Sequence, residues 1–207
     1  MKITGLYLAA GHSKRMGKDK LSLPFGNQKL GFWALDKILH SHLNDVIVIT
    51  NQANLYQYKK IVDEKRKMTV IEARGNNQSD SIKAGLDKAI QLQSDAIIIV
   101  LADQPFISIN MMNQLIDIYK QDRAKAFVAP LFNGSMRPPI VLSKRLFPAL
   151  YKLKGDQGAK QILLDKRQEG TVVSFSDSKL FVDIDRIDEY LFWKQNIKSM
   201  RQDESND

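Results

Sequence analysis

Residues 96–105 of the chain are Ala-Ile-Ile-Ile-Val-Leu-Ala-Asp-Gln-Pro, and this stretch decides the class of fold. Its first six residues are all apolar, which is typical of a strand at the centre of a parallel sheet whose two faces are both covered. Pro105 ends the strand because proline has no N–H group to continue the hydrogen-bond ladder. The sequence therefore predicts a mostly parallel sheet with Asp103 at the carboxyl end of its central strand.

Strands and helices alternate on either side of this strand, which predicts βαβ units and a three-layer, Rossmann-like α/β fold. Apolar and β-branched runs predict further strands at residues 3–9, 46–49, 69–71, 126–129, 140–142, 172–175 and 182–184. Helical spacing predicts helices at residues 30–39, 55–66, 111–122, 146–151, 159–164 and 187–197. One more helix is predicted to begin at a serine cap, Ser79 or Ser81, and to run to about residue 93.

Length and composition set limits on the molecule. The 207 residues suit a single domain, which we expect over residues 1–197, followed by a polar, frayed tail over residues 198–207. The chain has no cysteine and three histidines, which excludes disulfides and thiolate sites and argues against structural zinc. No run of about 18 apolar residues and no export signal occurs, so we expect no membrane span and a cytoplasmic location.

The charge of the chain bears on its class of partner. The formal net charge is +8 at pH 7, and the sequence pI is near 9.5. The lysines and arginines are spread along the chain without a dense basic run, which argues against nucleic-acid binding. A basic surface instead suits phosphorylated small molecules or an acidic partner protein.

The polar segment after the first strand is a candidate phosphate-binding loop. Residues 8–20 are Leu-Ala-Ala-Gly-His-Ser-Lys-Arg-Met-Gly-Lys-Asp-Lys, and ligands of open parallel sheets bind beyond the carboxyl ends of the strands. Small residues let backbone N–H groups approach phosphate oxygens, while Arg15 can bind in a bidentate manner and Lys20 as a point charge. The segment fits neither the dinucleotide fingerprint nor the Walker loop. A triphosphate is the natural ligand, and a solvated turn is the alternative.

Carboxylates at two later positions could hold a metal ion. Asp103 follows the central strand, and Asp183 and Asp185 flank Ile184 before a predicted helix. Mg²⁺ is usually held by one or two protein carboxylates together with substrate phosphates and water. For each of these residues the alternative role is to cap a turn or a helix. Residues 78–82 indicate, as bare sequence, a helix N-terminus and little else.

Four segments form one larger pattern: Leu8-Ala9-Ala10-Gly11-x-Ser13-x-Arg15-Met16-Gly17-x-x-Lys20, Ser81-Ile82-x-x-Gly85-Leu86, Leu101-Ala102-Asp103-Gln104-Pro105-Phe106 and Asp183-Ile184-Asp185. Together they resemble the molybdenum cofactor nucleotidyltransferase family. The first motif is highly specific because it fixes many positions in order. The resemblance runs from residue 3 to about residue 193, and it is closest to the cytidylyltransferase branch and to accessory proteins of xanthine dehydrogenases.

This resemblance implies a nucleotidyltransferase with a nucleotide-binding half over residues 1–107 and an acceptor-binding half over residues 108–197. Residue by residue, it implies that Arg15 and Lys20 hold the triphosphate and that Asp103 and Asp185 hold Mg²⁺. It also implies nucleotide contacts for a further set of positions, namely Leu8, Ala9, Ala10, Gly11 and, near the base, Ser81. An acceptor-side loop is implied around Asp156.

The same resemblance favours CTP over GTP because Ala10 precedes Gly11, where the guanylyl branch tends to have a second glycine. Two segments depart from the family pattern. Arg137-Pro138-Pro139 stands where relatives often have Gly-His-Pro, so a contact of that histidine is absent or replaced. Residues 186–189, Arg-Ile-Asp-Glu, replace a Thr-Pro-Glu-Asp segment, which leaves Asp183 as an alternative to Asp185.

The expected reaction is transfer of CMP from CTP to the phosphate of the molybdopterin cofactor, in the maturation of a xanthine dehydrogenase-type molybdoenzyme. The apo-molybdoenzyme would then be a partner. Two alternatives stay open. One is a non-catalytic chaperone for finished cofactor, and the other is a cytidylyl- or uridylyltransferase that acts on a different phosphorylated small molecule.

Overall fold

The computed structural model describes residues 1–11, 16–17, 19–61 and 67–203, with side chains up to residue 197 in these ranges. The strands, in chain order, are β1 (Ile3–Ala9), β2 (Pro24–Phe25), β3 (Gln28–Lys29), β4 (Asp45–Thr50), β5 (Met68–Glu72), β6 (Ala96–Leu101), β7 (Phe127–Phe132), β8 (Ser135–Met136), β9 (Ile140–Ser143) and β10 (Thr171–Ser174). The α-helices are α1 (Leu30–Leu39), α2 (Gln52–Lys59), α3 (Gln78–Gln91), α4 (Ile109–Gln121), α5 (Phe147–Tyr151), α6 (Lys160–Asp165) and α7 (Ile187–Asp203).

The main sheet has the order β10-β7-β9-β6-β1-β4-β5, with β8 added to β7. β1 pairs in parallel with β4 and β6, β4 pairs in parallel with β5, and β10 pairs in parallel with β7. β9 runs antiparallel to both neighbours, and β8 runs antiparallel to β7. The predicted α/β fold with a mostly parallel sheet is therefore confirmed.

β6 lies inside the sheet, as its apolar run predicted. Its side chains alternate between two apolar clusters: Ile98 and Val100 face one, while Ile97 and Ile99 face the other. The first cluster includes residues of α1, α2 and α4, and the second includes residues of α3, α5 and α6. Helices therefore cover both faces, and the three layers follow from a central strand that is apolar on both sides.

The helix α3 approaches the sheet closely because residue 85 is glycine. A Cβ atom at Gly85 would lie 3.0 Å from Leu6 and 3.1 Å from Ile49, which is tighter than most real Cβ contacts. The close approach sets the position of α3, whose N-terminus contributes to the cavity described below.

Some predicted elements differ from the structure. Residues 182–184 form no strand, because the N–H group of Ile184 donates to the carbonyl oxygen of Asp103 at 3.0 Å instead of entering a ladder. The N-cap of α3 is Asn77 rather than a serine, and the carboxylate of Asp80 accepts the Asn77 N–H at 3.2 Å. The predicted helix at residues 55–66 is α2, and residues 62–66 lie outside the described ranges.

Two further differences concern the ends of the chain. The helix α7 continues through Asp203, past its predicted end at residue 197, so the start of the expected frayed tail is helical. The hairpin of β2 and β3, with Gly26 at a φ of 62°, was not predicted. Among the helices in the described ranges, none combines the length and apolar character that crossing a membrane requires.

Candidate active site

A cavity of about 330 Å³ lies beyond the carboxyl ends of β1 and β6. Leu8 and Leu101 are partners in the parallel register, so the segments that follow these two strands leave the sheet side by side. The lining residues come from four distant parts of the chain: Leu8, Ala10, Gly11, Asn76, Asn77, Gln78, Ser81, Leu101, Asp103 and Asp156. Most of the residues assigned to ligand binding from the sequence therefore meet around one space.

Ala9 and Arg15 stand apart from the other predicted residues of the first loop. Ala9 is fully buried in the apolar cluster on the opposite face of the sheet from Leu8, because successive side chains of a strand alternate. The Ala9 side chain therefore does not line the cavity, and the expected contact of Ala9 with the nucleotide stays a prediction. Arg15 lies outside the described residues.

The ammonium group of Lys20 lies between two carboxylates. Its Nζ donates to Oδ2 of Asp103 at 2.8 Å and to Oδ1 of Asp185 at 2.7 Å. Lys20 is only 8% exposed. Burial by itself would lower the pKa of Lys20, but the charges of the two aspartates and the hydrogen bonds to them outweigh burial and raise that pKa. The end of the first loop and two aspartates distant in sequence thus share one cation.

One oxygen of Asp103 stands out for its lack of a donor. Whereas Oδ2 accepts from Lys20, Oδ1 is buried and has no hydrogen-bond partner within the described part of the chain. A buried acceptor without a partner costs about 1–3 kcal/mol, and more when it is charged. Such an atom in a native structure calls for an explanation, for which a bound water, an ion or a catalytic role are the usual candidates. No described backbone N–H group donates to this oxygen, so capping of a turn does not explain Asp103.

Asp185 is placed by the start of α7. The carboxylate of Glu189 accepts the backbone N–H of Asp185 at 2.8 Å and that of Arg186 at 2.9 Å. Glu189 therefore satisfies donors at the helix N-terminus and fixes the backbone from which the Asp185 side chain reaches Lys20. Residues 186–189, which depart from the family pattern, still provide this anchor.

Asp183 belongs to a different network. Nε2 of Gln104 donates to its Oδ1 at 2.7 Å, and Nη1 of Arg137 donates to its Oδ2 at 3.4 Å. Burial raises the pKa of Asp183, and the hydrogen bond from Gln104 offsets only part of that rise. The two late aspartates are thereby distinguished: Asp185 faces Lys20, while Asp183 faces Arg137, the residue that departs from the family's Gly-His-Pro segment.

The turn that carries Lys20 is held by residues that were not singled out from the sequence. Asp19 caps a 3₁₀ turn at Lys20–Ser22: its carboxylate accepts the N–H of Leu21 at 3.2 Å and Nδ2 of Asn54 at 2.7 Å. An aspartate before a short turn is a recognisable cap, so a local signal for Asp19 existed. Asn54 lies in α2 and carries no such signal, because its contact is long-range.

The N-terminus of α3 forms another part of the wall. Asn76, Asn77 and Gln78 line the cavity beside Ser81, although only Ser81 was assigned a ligand contact from the sequence. A helix N-terminus carries partial positive charge and N–H groups that suit phosphate oxygens. The start of α3 thus brings a partial positive charge to the wall of the cavity.

The loop that carries Asp156 is docked on this helix start. The N–H of Ser79 donates to the carbonyl oxygen of Gly155 at 3.2 Å. A Cβ atom at Gly158 would lie 3.1 Å from Oε1 of Gln78. These contacts bring Asp156 to the edge of the cavity, where the resemblance implied an acceptor-side loop.

Known proteins are similar to this chain in sequence or in structure. Purine catabolism protein PucB of Bacillus subtilis is 35% identical over 196 residues, which are 91% of this chain and 94% of that protein. The 2-C-methyl-D-erythritol 4-phosphate cytidylyltransferase of Dictyoglomus thermophilum is 28% identical over 158 residues, 74% of this chain and 67% of that protein. The structure of Rv0371c of Mycobacterium tuberculosis with manganese superposes with a TM-score of 0.74 at 20% identity, over 94% of this chain and 99% of that one.

The fold, the cavity beyond its central strands and these relatives define the class of protein: the chain is a nucleotidyltransferase. The sequence model of the MobA-like NTP transferase domain matches residues 5–171, so the chain belongs to the MobA-like NTP transferase family. The resemblance found from the four motifs is thereby confirmed at the level of the family.

Proposed function

We propose that this protein transfers CMP from CTP to the phosphate of the molybdopterin cofactor, releases pyrophosphate and requires Mg²⁺. The observation that carries the proposal is the joint contact of Lys20 with Asp103 and Asp185, because Asp103 also lines the cavity between the first loop and α3. Carboxylates, a lysine and a helix N-terminus in one place suit a metal-bound triphosphate better than they suit an uncharged ligand.

The triphosphate would lie between the first loop and the start of α3. Ala10 lines the cavity with only a methyl group and Gly11 has no side chain, so backbone groups there can approach phosphate oxygens. The N-terminus of α3 adds its partial positive charge. Lys20 and, by the resemblance, Arg15 would neutralise the remaining phosphate charge, and Ser81 would lie near the base.

The donor set fits Mg²⁺. Hard divalent cations prefer oxygen ligands, and Oδ1 of Asp103 is an unpartnered carboxylate oxygen among the described residues. The described ranges contain no group of three or more His, Cys, Asp or Glu side chains suited to a metal. Asp103 and Asp185 would therefore share the ion with triphosphate oxygens and water, as Mg²⁺ sites commonly do. The manganese in the similar M. tuberculosis structure supports a divalent ion.

The chemistry needs little from acid or base groups. A phosphate monoester is largely ionised near neutral pH, because its second pKa is about 6. One of its oxygens would attack the α-phosphorus of CTP in line, a new P–O bond would form, and the bond to the β-phosphate would break as pyrophosphate leaves. Bound Mg²⁺ supplies charge neutralisation for the leaving pyrophosphate. Lys20 and Arg15 would stabilise the same growing charge, and the loop around Asp156 would orient the acceptor.

The choice of substrates rests on sequence and on relatives. Ala10 before Gly11 favours CTP, and one relative is named as a cytidylyltransferase. The name of PucB assigns that protein to purine catabolism, and xanthine is a purine, which supports maturation of a xanthine dehydrogenase-type enzyme. We also propose that residues 1–107 bind the nucleotide and that residues 108–197 bind the acceptor.

Pyrophosphate release tests the proposal. The protein is incubated with Mg²⁺, one of the four NTPs, and either molybdopterin cofactor or 2-C-methyl-D-erythritol 4-phosphate; EDTA replaces Mg²⁺ in the control. We expect release with CTP and the pterin only. Release with GTP alone would move the protein to the guanylyl branch. Release with the sugar-alcohol phosphate would reassign the acceptor, and pterin binding without release from any NTP would support the chaperone alternative.

A further inference from the structure

The Lys20 ammonium lies between Asp103 and Asp185, the two carboxylates that are proposed to hold the metal. Its nitrogen is 2.8 Å from one carboxylate and 2.7 Å from the other, so the two acidic groups already share a cation. We propose that Lys20 occupies the metal position while the site lacks nucleotide, and that it moves to the triphosphate when metal and nucleotide bind. This inference rests on the proposed function, since it concerns the same site.

The charges around the lysine explain why a placeholder is needed. Asp103 and Asp185, whose side chains are 24% and 42% exposed, would repel each other if no cation lay between them. Asp183 is close by, but its charge is already shared with Arg137, at 3.4 Å. Lys20 thus stabilises the two carboxylates when no metal is bound, and a divalent ion that entered the same space would be repelled by the ammonium until that group left.

The Lys20 ammonium also lies close to the space proposed for the triphosphate. The backbone of Lys20 is fixed by the 3₁₀ turn that Asp19 and Asn54 anchor, so only its flexible side chain has to move. Asp103 contacts Lys20 and also lines the cavity, which means that the ammonium is adjacent to the space for the triphosphate. A triphosphate there would offer new negative partners to the lysine and would release both carboxylates to the metal.

Removal of Lys20 should affect metal binding and CTP binding differently if Lys20 is a placeholder than if it forms a permanent structural ion pair. If Lys20 competes with the metal, its removal strengthens metal binding in the absence of nucleotide. If Lys20 also moves to the triphosphate, the same change weakens CTP binding in the presence of Mg²⁺. A permanent ion pair predicts a weaker metal site, because the carboxylates lose the group that orders them.

The test uses Lys20→Gln, which retains an N–H donor but no charge, and Lys2→Gln as the matched control. Lys2 forms an ion pair with Asp45 at 2.9 Å and precedes β1, at the opposite end of that strand from the cavity. Binding of Mn²⁺ without nucleotide is measured by the EPR signal of free Mn²⁺, and binding of CTP with Mg²⁺ is measured by calorimetry. We expect Lys20→Gln to bind Mn²⁺ tighter by roughly tenfold, a typical coupling between linked ligands, and to bind CTP more weakly. The control should match the parent in both.

Equal or weaker Mn²⁺ binding by Lys20→Gln would overturn the inference. A second comparison separates a failure of this inference from a failure of the proposed function. Asp103→Asn is introduced into the parent and into Lys20→Gln, and if Mn²⁺ binding does not depend on Asp103 in either protein, the proposed metal site itself is wrong. If Lys20→Gln does not fold in metal-free buffer, it is refolded with Mn²⁺. Recovery of the fold with Mn²⁺ supports the placeholder, and failure to recover contradicts it.

Discussion

Replacing Asp103 with asparagine separates a role in catalysis from a role in stability. Asp103→Asn keeps an oxygen that can accept from Lys20 but removes the negative charge. A hydrogen bond to a charged group contributes about 1.5–3 kcal/mol, and this figure is reduced here because Lys20 keeps Asp185 at 2.7 Å and the Asp103 side chain is 24% exposed. We expect a loss of roughly 1–2 kcal/mol in unfolding free energy, which lowers Tm by about 2–8 °C for a chain of this size.

The expected effect on turnover is larger. Loss of one preorganised electrostatic group commonly costs on the order of 10²-fold to 10³-fold in kcat, and Asp103→Asn removes charge from the proposed metal site. Turnover is measured as pyrophosphate release from CTP at 25 °C, and stability is measured by thermal unfolding. Asp177→Asn is the control, because Asp177 only caps a turn, accepting the N–H of Lys179 at 2.9 Å. If Asp103→Asn turns over like the parent while its Tm falls, Asp103 has a structural role and the metal assignment is wrong.

Four other substitutions test separate parts of the site and fold. Asp185→Asn should lower turnover by on the order of 10²-fold in the same assay, whereas Asp183→Asn should lower it far less. If Asp183→Asn lowers turnover more than Asp185→Asn does, Asp183 is the second metal ligand. Asn54→Ala removes a donor to Asp19 and should lower the free energy of unfolding by roughly 1–3 kcal/mol. It should also raise KM for CTP, because the turn that carries Lys20 loosens, and an unchanged KM would contradict the anchoring role. The backbone N–H of Lys2 donates to the carboxylate of Asp95 and lowers the pKa of Asp95. This hydrogen bond therefore stabilises the fold at pH values above the pKa of Asp95 in the unfolded chain, and the stabilisation is lost as the pH falls through the pKa of Asp95 in the folded protein. Asp95→Asn should therefore lower Tm at pH 7, with a difference from the parent that closes below about pH 4 in thermal unfolding at stepped pH.

The elements that the sequence predicted well have strong local patterns. The six apolar residues of β6 have covered faces on both sides, and α1 has the predicted bounds, Leu30–Leu39. The hairpin of β2 and β3 was missed because two residues per strand are too few for a periodic pattern. Residues 182–184 alternate between apolar and acidic, as a strand would, but they pair with no strand in the described ranges. Ile184 is buried in a cluster with Phe25 and Tyr190 instead.

The residues of the candidate site also differ in whether the sequence could predict their role. Asp103 could be predicted because it directly follows the strongest strand, and Ser81 and Asp156 came from the family resemblance. The contact of Lys20 with Asp185 could not be predicted from composition or spacing, since it joins residues 165 positions apart. The wall formed by Asn76, Asn77 and Gln78 was missed for a similar reason: a helix start shows its capping residues in the sequence but not the space that they face.

The most direct measurement is a crystal structure of the protein with Mn²⁺ and a non-hydrolysable CTP analogue, in which anomalous scattering locates the metal. The account predicts one peak within roughly 2–2.5 Å of carboxylate oxygens of Asp103 and Asp185. It also predicts that the triphosphate lies between Gly11 and the start of α3, with the Lys20 ammonium moved onto it. A metal peak away from both aspartates, or a triphosphate bound outside this cavity, would contradict the account.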